Sequence, residues 1–284
     1  MLPASLHLPT SRIQALPLDL TSRIPTELIL QILSEAEDDN ATLCSCLRVC
    51  HAWYTLLIDH LYEPIHLRGS LQLDKLTSAA RAHPAVCARL AKTRTVTLSR
   101  RTRPEPRFAR VFPLVLGPYL RSVAHLAFRG SLLKPLHPSF FAALPQLAGV
   151  RHLELVKFSL GSFLELQRVV CAFPLLEELH LAESRMRPRA RQQFAPAAHN
   201  HHGPSTLLRP PPVLAVLRVN KLEADILHDL VAWMSAAASL GSIRTLEISQ
   251  HLWSDDDAGP VGALLAYTAP TVEHLRVRNA GFGA

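Results

Sequence analysis

One pattern constrains the fold of this chain more than any other. An apolar residue is followed three positions on by a leucine, and two further on by another apolar residue. It reads Val123-x-x-Leu126-x-Phe128, Val150-x-x-Leu153-x-Leu155, Leu176-x-x-Leu179-x-Leu181, Leu214-x-x-Leu217-x-Val219, Ile243-x-x-Leu246-x-Ile248 and Val272-x-x-Leu275-x-Val277. A weaker copy is Val96-x-Leu98. From Val96 through the central leucines, the steps are 30, 27, 26, 38, 29 and 29 residues. The alternation predicts a short strand with one buried face. Between the strands the spacing turns helical. Phe163, Leu166, Val170 and Phe173 form a stripe after Ser162, a candidate N-cap. Leu222, Ile226, Leu230 and Trp233 form another, and Leu264 with Tyr267 a shorter one. Such a unit cannot bury its apolar face alone, so successive units stack. The expected fold is an α/β solenoid, with parallel strands and the helices on its convex side.

The step lies near the range of about 20–29 residues found in leucine-rich repeats. One departure is plain. The asparagine that usually follows the last strand leucine by three residues is replaced by Phe158, Ser184, Leu222, His251 and Ala280. Another device must hold that turn, and an irregular array is expected. The long step of 38 has its own cause. Arg185 to Pro212 carries four alternating arginines, the run His199-Asn200-His201-His202-Gly203 and Pro210-Pro211-Pro212, and reads as an exposed insertion.

The N-terminal part follows a different rule. Residues 1–23 read as a loose tail rich in Pro, Ser and Thr. Pro25 is placed to open a helix, and Glu27 suits its positive end. Leu28, Ile29, Ile32 and Leu33 share one helical face. Asp39 or Asn40 is a candidate cap for a second helix through Leu43, Leu47, Cys50 and Tyr54. Trp53, Leu56, Leu57 and Leu61 mark a third helical segment. Three short helices bury little apolar area, so the unit leans on a neighbour or a partner.

These residues carry a resemblance. Ile24-Pro25-x-Glu27-Leu28-Ile29-x-x-Ile32-Leu33, then Thr42-Leu43, then Leu47-x-Val49-Cys50-x-x-Trp53, resembles an F-box. Leu61-Tyr62-Glu63-Pro64-Ile65-His66-Leu67 is similar to the exit from fungal F-boxes. The division expected is a tail over 1–23, an all-helical F-box-like module over 24–68, and an irregular leucine-rich-repeat solenoid over 69–284 with an insertion at 185–212.

Other chemistries find little support. Hydrophobic residues make up 48% and charged residues 19%, the balance of an ordered chain with material for a core. Five cysteines, an odd number, fit a reducing compartment rather than a disulfide framework. No run of about 18 apolar residues predicts a membrane span. The first twenty residues have a faint transit-peptide character, but Pro3, Pro9 and Pro17 spoil the helix such peptides need. Cys44, Cys46 and Cys50 have the plainer reading of small buried residues, and the histidine run that of a loop without the supporting shell of a metal site. No Walker loop, G-x-S-x-G or H-E-x-x-H is present. The net charge of +7 permits acidic partners. Two arginine stretches, Arg100 to Arg110 and Arg185 to Arg191, lack the interleaved aromatics that favour nucleic acid. The chain is therefore read as no enzyme, with no cofactor and no metal.

Strand side chains alternate, so the residues flanking each central leucine point away from the core. They place His125, His152, Glu154, Glu178, His180, Arg218, Glu247, His274 and Arg276 on the concave face, as a partner-binding surface. What the F-box resemblance implies is an adaptor role in protein degradation. The module would dock on the Skp-type adaptor and, through it, the cullin of an SCF ubiquitin ligase, while the repeats hold an unknown protein substrate. The resemblance assigns the adaptor contact to Pro25, Glu27, Leu28, Ile29, Ile32, Leu33, Leu43, Leu47, Val49 and Trp53, and implies a cytoplasmic or nuclear place. An alternative stays open: a stand-alone repeat scaffold whose N-terminal helices only cap the solenoid. A cap buries its apolar residues, whereas a docking module leaves several exposed. A third reading, an enzyme, requires an enclosed histidine cluster. The last strand, Val272 to Val277, is followed only by Asn279 to Ala284, so it is expected to form an open sheet edge.

Overall fold

The computed structural model describes residues 25, 27–29, 31, 40–99, 108–130, 132, 136–186, 210–236, 239–250 and 255–279. Outside them lie the tail over 1–23, Ile32, Leu33, Asp39, the arginines from Arg100 to Arg107, the insertion over 187–209 with its histidine run, His251, and 280–284. The chain divides into two compact units, Met1–Leu61 and Tyr62–Ala284.

In the first unit Glu27 to Ile29 and Gln31 are helical, and the amides of Leu28 and Ile29 donate to the Pro25 carbonyl. Two helices follow, α1 (Asn40–Cys46) and α2 (His51–Tyr62). The helix expected from Asn40 onward, α1, ends earlier than the spacing predicts. Leu47 to Val49 form a turn, Tyr54 lies on α2, and Cys50 stands just before that helix, its carbonyl accepting from the Tyr54 amide. Leu43 and Leu57 make a small core, with Ile29, Cys46, Leu47 and Trp53 packed against it. Cys44 and Cys50 are exposed and Cys46 half-buried, which corrects the expectation of buried thiols.

The second unit is a mixed helix-and-strand structure around a parallel sheet. Its elements run β1 (Pro64–Leu67), α3 (Ser70–Ala82), α4 (Pro84–Leu90), β2 (Thr95–Ser99), α5 (Phe108–Val115), β3 (His125–Arg129), α6 (Pro138–Ala143), β4 (His152–Val156), β5 (Ser159–Leu160), α7 (Phe163–Val170), β6 (Glu178–Ala182), β7 (Arg185–Met186), β8 (Val216–Asn220), α8 (Ala224–Ala236), β9 (Thr245–Gln250), α9 (Asp255–Thr268) and β10 (His274–Asn279). Eight strands form one sheet in the order β1-β2-β3-β4-β6-β8-β9-β10, every pair parallel; β5 and β7 pair separately. The helical module expected over 24–68 therefore contains a strand at its end, because Ile65 lies opposite Val96 in the sheet. Arg185 and Met186 likewise belong to a strand rather than to the insertion. Among the described residues no helix is long and apolar enough to cross a membrane.

The repeat sets the register. Val96, Leu126, Leu153, Leu179, Leu217, Leu246 and Leu275 are direct neighbours across the sheet. From β2 to β9 these side chains and those two residues on are buried, together with Phe112, Phe140 and Phe173. Each buried leucine contributes about 1.5–3 kcal/mol by leaving water. At β10 the same positions change state: Leu275 and Val277 are exposed. The interstrand helices use local devices. Ser162 sits at the N-cap of α7 with extended backbone but makes no side-chain cap bond; Glu165 instead accepts from the Gly161 amide at 2.7 Å. On α8, Ile226 and Leu230 are buried and Trp233 meets Phe163 edge to face. Tyr267 on α9 is exposed, not part of the core stripe.

The irregularity expected from the missing asparagines does not extend to the strand ends. At each strand entry two successive amides share one carbonyl of the preceding strand's entry: Ala124 and His125 on Arg94, Arg151 and His152 on Ala124, Glu177 and Glu178 on Arg151, Ala215 and Val216 on Glu177. At four exits one residue turns left-handed: Gly130 (φ 65°), Lys157 (53°), Glu183 (51°) and Lys221 (50°). Their amides donate to Val156, Ala182, Asn220 and Ser249 in the next strand. Phe158 is buried, and Ser184 accepts from the Glu223 amide at 3.2 Å. A left-handed residue with a side chain costs about 1–2 kcal/mol. Lys221→Val, which adds a β-branch there, is expected to lower stability by about 1–2 kcal/mol in urea unfolding, while Lys221→Gly stays at or slightly above the parent. Equal stability of the two variants would remove strain from the account of this turn.

Candidate functional site

The alternation that buries the leucines turns the intervening residues to the opposite face. Before the central residue run Thr95, His125, His152, Glu178, Val216, Thr245 and His274; after it run Thr97, Ala127, Glu154, His180, Arg218, Glu247 and Arg276. All nine residues named from sequence for this face stand on it. His274 and Arg276 are exposed on β10, and the others are partly covered by their neighbours.

The charges pair across strands. Arg129 clasps Glu154 with two bonds of 2.9 Å, and that bond holds its guanidinium still more firmly charged. Arg218 meets Glu178 at 3.1 Å and Glu247 at 3.6 Å, and Arg276 meets Glu247 at 3.3 Å. His152 Nδ1 stands 3.1 Å from Glu178. His125 lies 3.9 Å from Glu154, its ring edge to face with His152 at 6.1 Å. Arg129 was not singled out from sequence, although the period of two places it on this face, two residues beyond Ala127. His66 on β1 extends the same row.

Between β3, β4, β6 and β8 the face sinks into an open depression of about 320 Å³, lined by His125, His152, Leu153, Glu154, Glu178, His180 and Arg218. Its histidines are not enclosed: the side chains of His125 and His152 are 38% and 40% exposed. An active centre that excludes water needs more cover than this. Among the described residues no group of three or more His, Cys, Asp or Glu is arranged to hold a metal.

Burial is the first cause that holds His125, His180 and His66 below the usual imidazole range. At His125, His152 and Arg129 add to the depression while Glu154 and Glu178 oppose it. At His180, Arg218 and Arg129 add while Glu154 and Glu247 oppose. In the unfolded chain such rings take a proton near pH 6.5, and in the fold only at lower pH. Stability is therefore expected to fall as pH drops below about 6.5, until the folded rings also protonate. Urea unfolding at pH 7.5 and 5.5 measures this. His125→Gln/His180→Gln should show a shallower decline, and an unchanged decline would place the sensitivity elsewhere.

The N-terminal unit offers a second surface. Pro25, Glu27, Leu28 and Val49 are exposed, as is Tyr54, which was read from sequence only as part of a stripe. Leu28 is 49% and Val49 63% exposed. Ile29, Leu47 and Trp53 are half-buried against the small core. Leu43, 1% exposed, lies in the small core with Leu57 and is not part of this exposed surface. Ile32 and Leu33 lie outside the described residues.

Residues 21–68 match the family model described as F-box-like, so the chain carries an F-box-like domain. Domains of this kind are typically adaptors rather than enzymes, and their presence implies contact with a Skp-type adaptor. The match covers both helices of the first unit and runs on through β1. No curated protein matches the chain.

Proposed function

We propose that this protein is a substrate-recognition adaptor of an SCF-type cullin–RING ubiquitin ligase. The F-box-like domain docks on the Skp-type adaptor, which brings the cullin, and the parallel sheet with its helices is a leucine-rich-repeat solenoid that holds a protein substrate on its outward face. Holding the substrate beside the ligase raises its effective concentration there, and this chain performs no bond chemistry. The working division is a tail over 1–23, a docking module over 24–61, a first strand in 64–67 that starts the array, and the repeat domain to 284. The place of action is the cytoplasm or nucleus.

The observation that carries the reading is the coincidence of the F-box-like match with exposed Leu28, Val49 and Tyr54. A docking face presents such side chains for burial in a partner groove. The test is capture of purified Skp-type adaptor by the full chain. Failure of the well-folded chain to bind would leave a repeat scaffold.

A further inference from the structure

Any partner of the outward face must match its charge, and that charge is legible. On the strands of the eight-stranded sheet this face carries four arginines, Arg129, Arg218, Arg276 and Arg278, against three glutamates, Glu154, Glu178 and Glu247. Each glutamate already has an arginine within 4 Å. Among the described residues of the face no carboxylate lacks an arginine partner to leave it free for a cationic ligand. The remaining capacity is imidazole: His66, His125, His152, His180 and His274. His180 makes no hydrogen bond among the described residues, and His125 has only a long contact to Glu154 and the edge of His152. Both open into the depression between β3 and β8.

We propose that this depression binds an acidic, extended segment of a protein partner, and that binding takes up protons through His125 and His180. The inference rests on reading this face as the substrate-holding surface. Four strands about 4.8 Å apart span roughly 14 Å, the length of about four extended residues. Carboxylates laid across them would meet His125, His152 and His180, with Arg218 at the far side and Arg129 at the strand exit. Glu154 is paired with Arg129 and Glu178 with Arg218, and so they repel little.

Proton coupling follows from the same geometry. In the unbound chain burial, with Arg129 nearby, lowers the proton affinity of the His125 and His180 rings against the opposing pull of Glu154. A bound carboxylate reverses that balance, because an opposite charge within about 4–6 Å favours the protonated form. Their pKa values rise on binding, so affinity grows as pH falls from above 7 toward 6. For each ring the gain is at most about tenfold per unit by which its pKa rises.

The test uses the full chain and a fluorescein-labelled octapeptide of alternating glutamate and serine, read by anisotropy at pH 7.5 and pH 6.0 in one low-salt buffer. Circular dichroism at both values checks the fold. The expected result is binding at least about tenfold tighter at pH 6.0, with a lysine–serine octapeptide not binding. In His125→Gln/His180→Gln the gain at low pH should disappear while folding is retained. Preference for the lysine peptide, affinity independent of pH, an unchanged pH response in the variant, or tighter binding of a single-stranded oligonucleotide would each overturn the proposal. No ligase component enters this assay, so its failure leaves the adaptor reading standing, and loss of adaptor capture would leave this inference untouched.

Discussion

The Phe158→Asn chain is expected to unfold with about 4 kcal/mol less stability than the parent in urea titration. A repeat consensus points the other way, since asparagine is the usual residue at that place. Here the turn at the exit of β4 is held by the backbone: Lys157 goes left-handed and its amide donates to Ala182 at 2.9 Å. That leaves the next side chain free to fill the core, and Phe158 is buried to 1% exposure. Truncating a buried phenylalanine costs about 3–5 kcal/mol. An amide in the vacated space adds the cost of unpaired polar atoms, about 1–3 kcal/mol, less whatever the turn recovers. A loss of under 1 kcal/mol would show that the site takes the consensus residue, and that the phenylalanine is no structural plug.

The second large effect concerns docking. In Leu28→Asp/Val49→Asp, capture of the Skp-type adaptor is expected to weaken by at least about 100-fold. A buried interface anchor is worth about 2 kcal/mol or more, and an unpaired carboxylate in its place opposes burial further. Both positions are exposed, so the module keeps its small core of Leu43 and Leu57. Leu43→Ala supplies the contrast: it should lose capture only as far as it loses helical signal. Unimpaired capture by a folded Leu28→Asp/Val49→Asp chain would move the contact to another face or remove it altogether.

Much of the sheet was legible because its signal is redundant. Leucine at the centre, an apolar residue two positions on and another three positions before are three demands that few segments meet by chance. The strands β2, β3, β4, β6, β8, β9 and β10 stand where the pattern places them, in register at the central residue. The strand β1 escaped because α2 ends at Tyr62 and only Glu63 separates it from Pro64. With no helix-to-strand linker, Ile65 and Leu67 read as the tail of a helical motif. The two-residue strands β5 and β7 are too short to show a period. The stripe of α3 is built from Leu73, Thr77 and Ala80, which carry too little hydrophobic contrast to announce a helix.

The outward face was legible as a row of residue types and no further. Alternation put His125, His152, Glu154, Glu178 and His180 together. It did not show that Arg129 takes Glu154, or that Arg218 bridges Glu178 and Glu247. Those pairings depend on side-chain reach across strands, which spacing along one strand does not encode. In the module the error ran the other way. Leu43 belongs to the same apolar pattern as Leu47 and Val49, and only packing separates the buried residue from the exposed one.

The order of strands in the large sheet matches the order in which they are made. Each strand after the first finds one neighbour already synthesised and becomes in turn the neighbour of the strand made next. At about 5–20 residues per second, a step of 26 to 38 residues takes the ribosome roughly one to eight seconds. Local strand and helix formation takes microseconds. The array can therefore be completed at the pace of translation, with each finished layer serving as template for the next and only one apolar edge uncovered at a time.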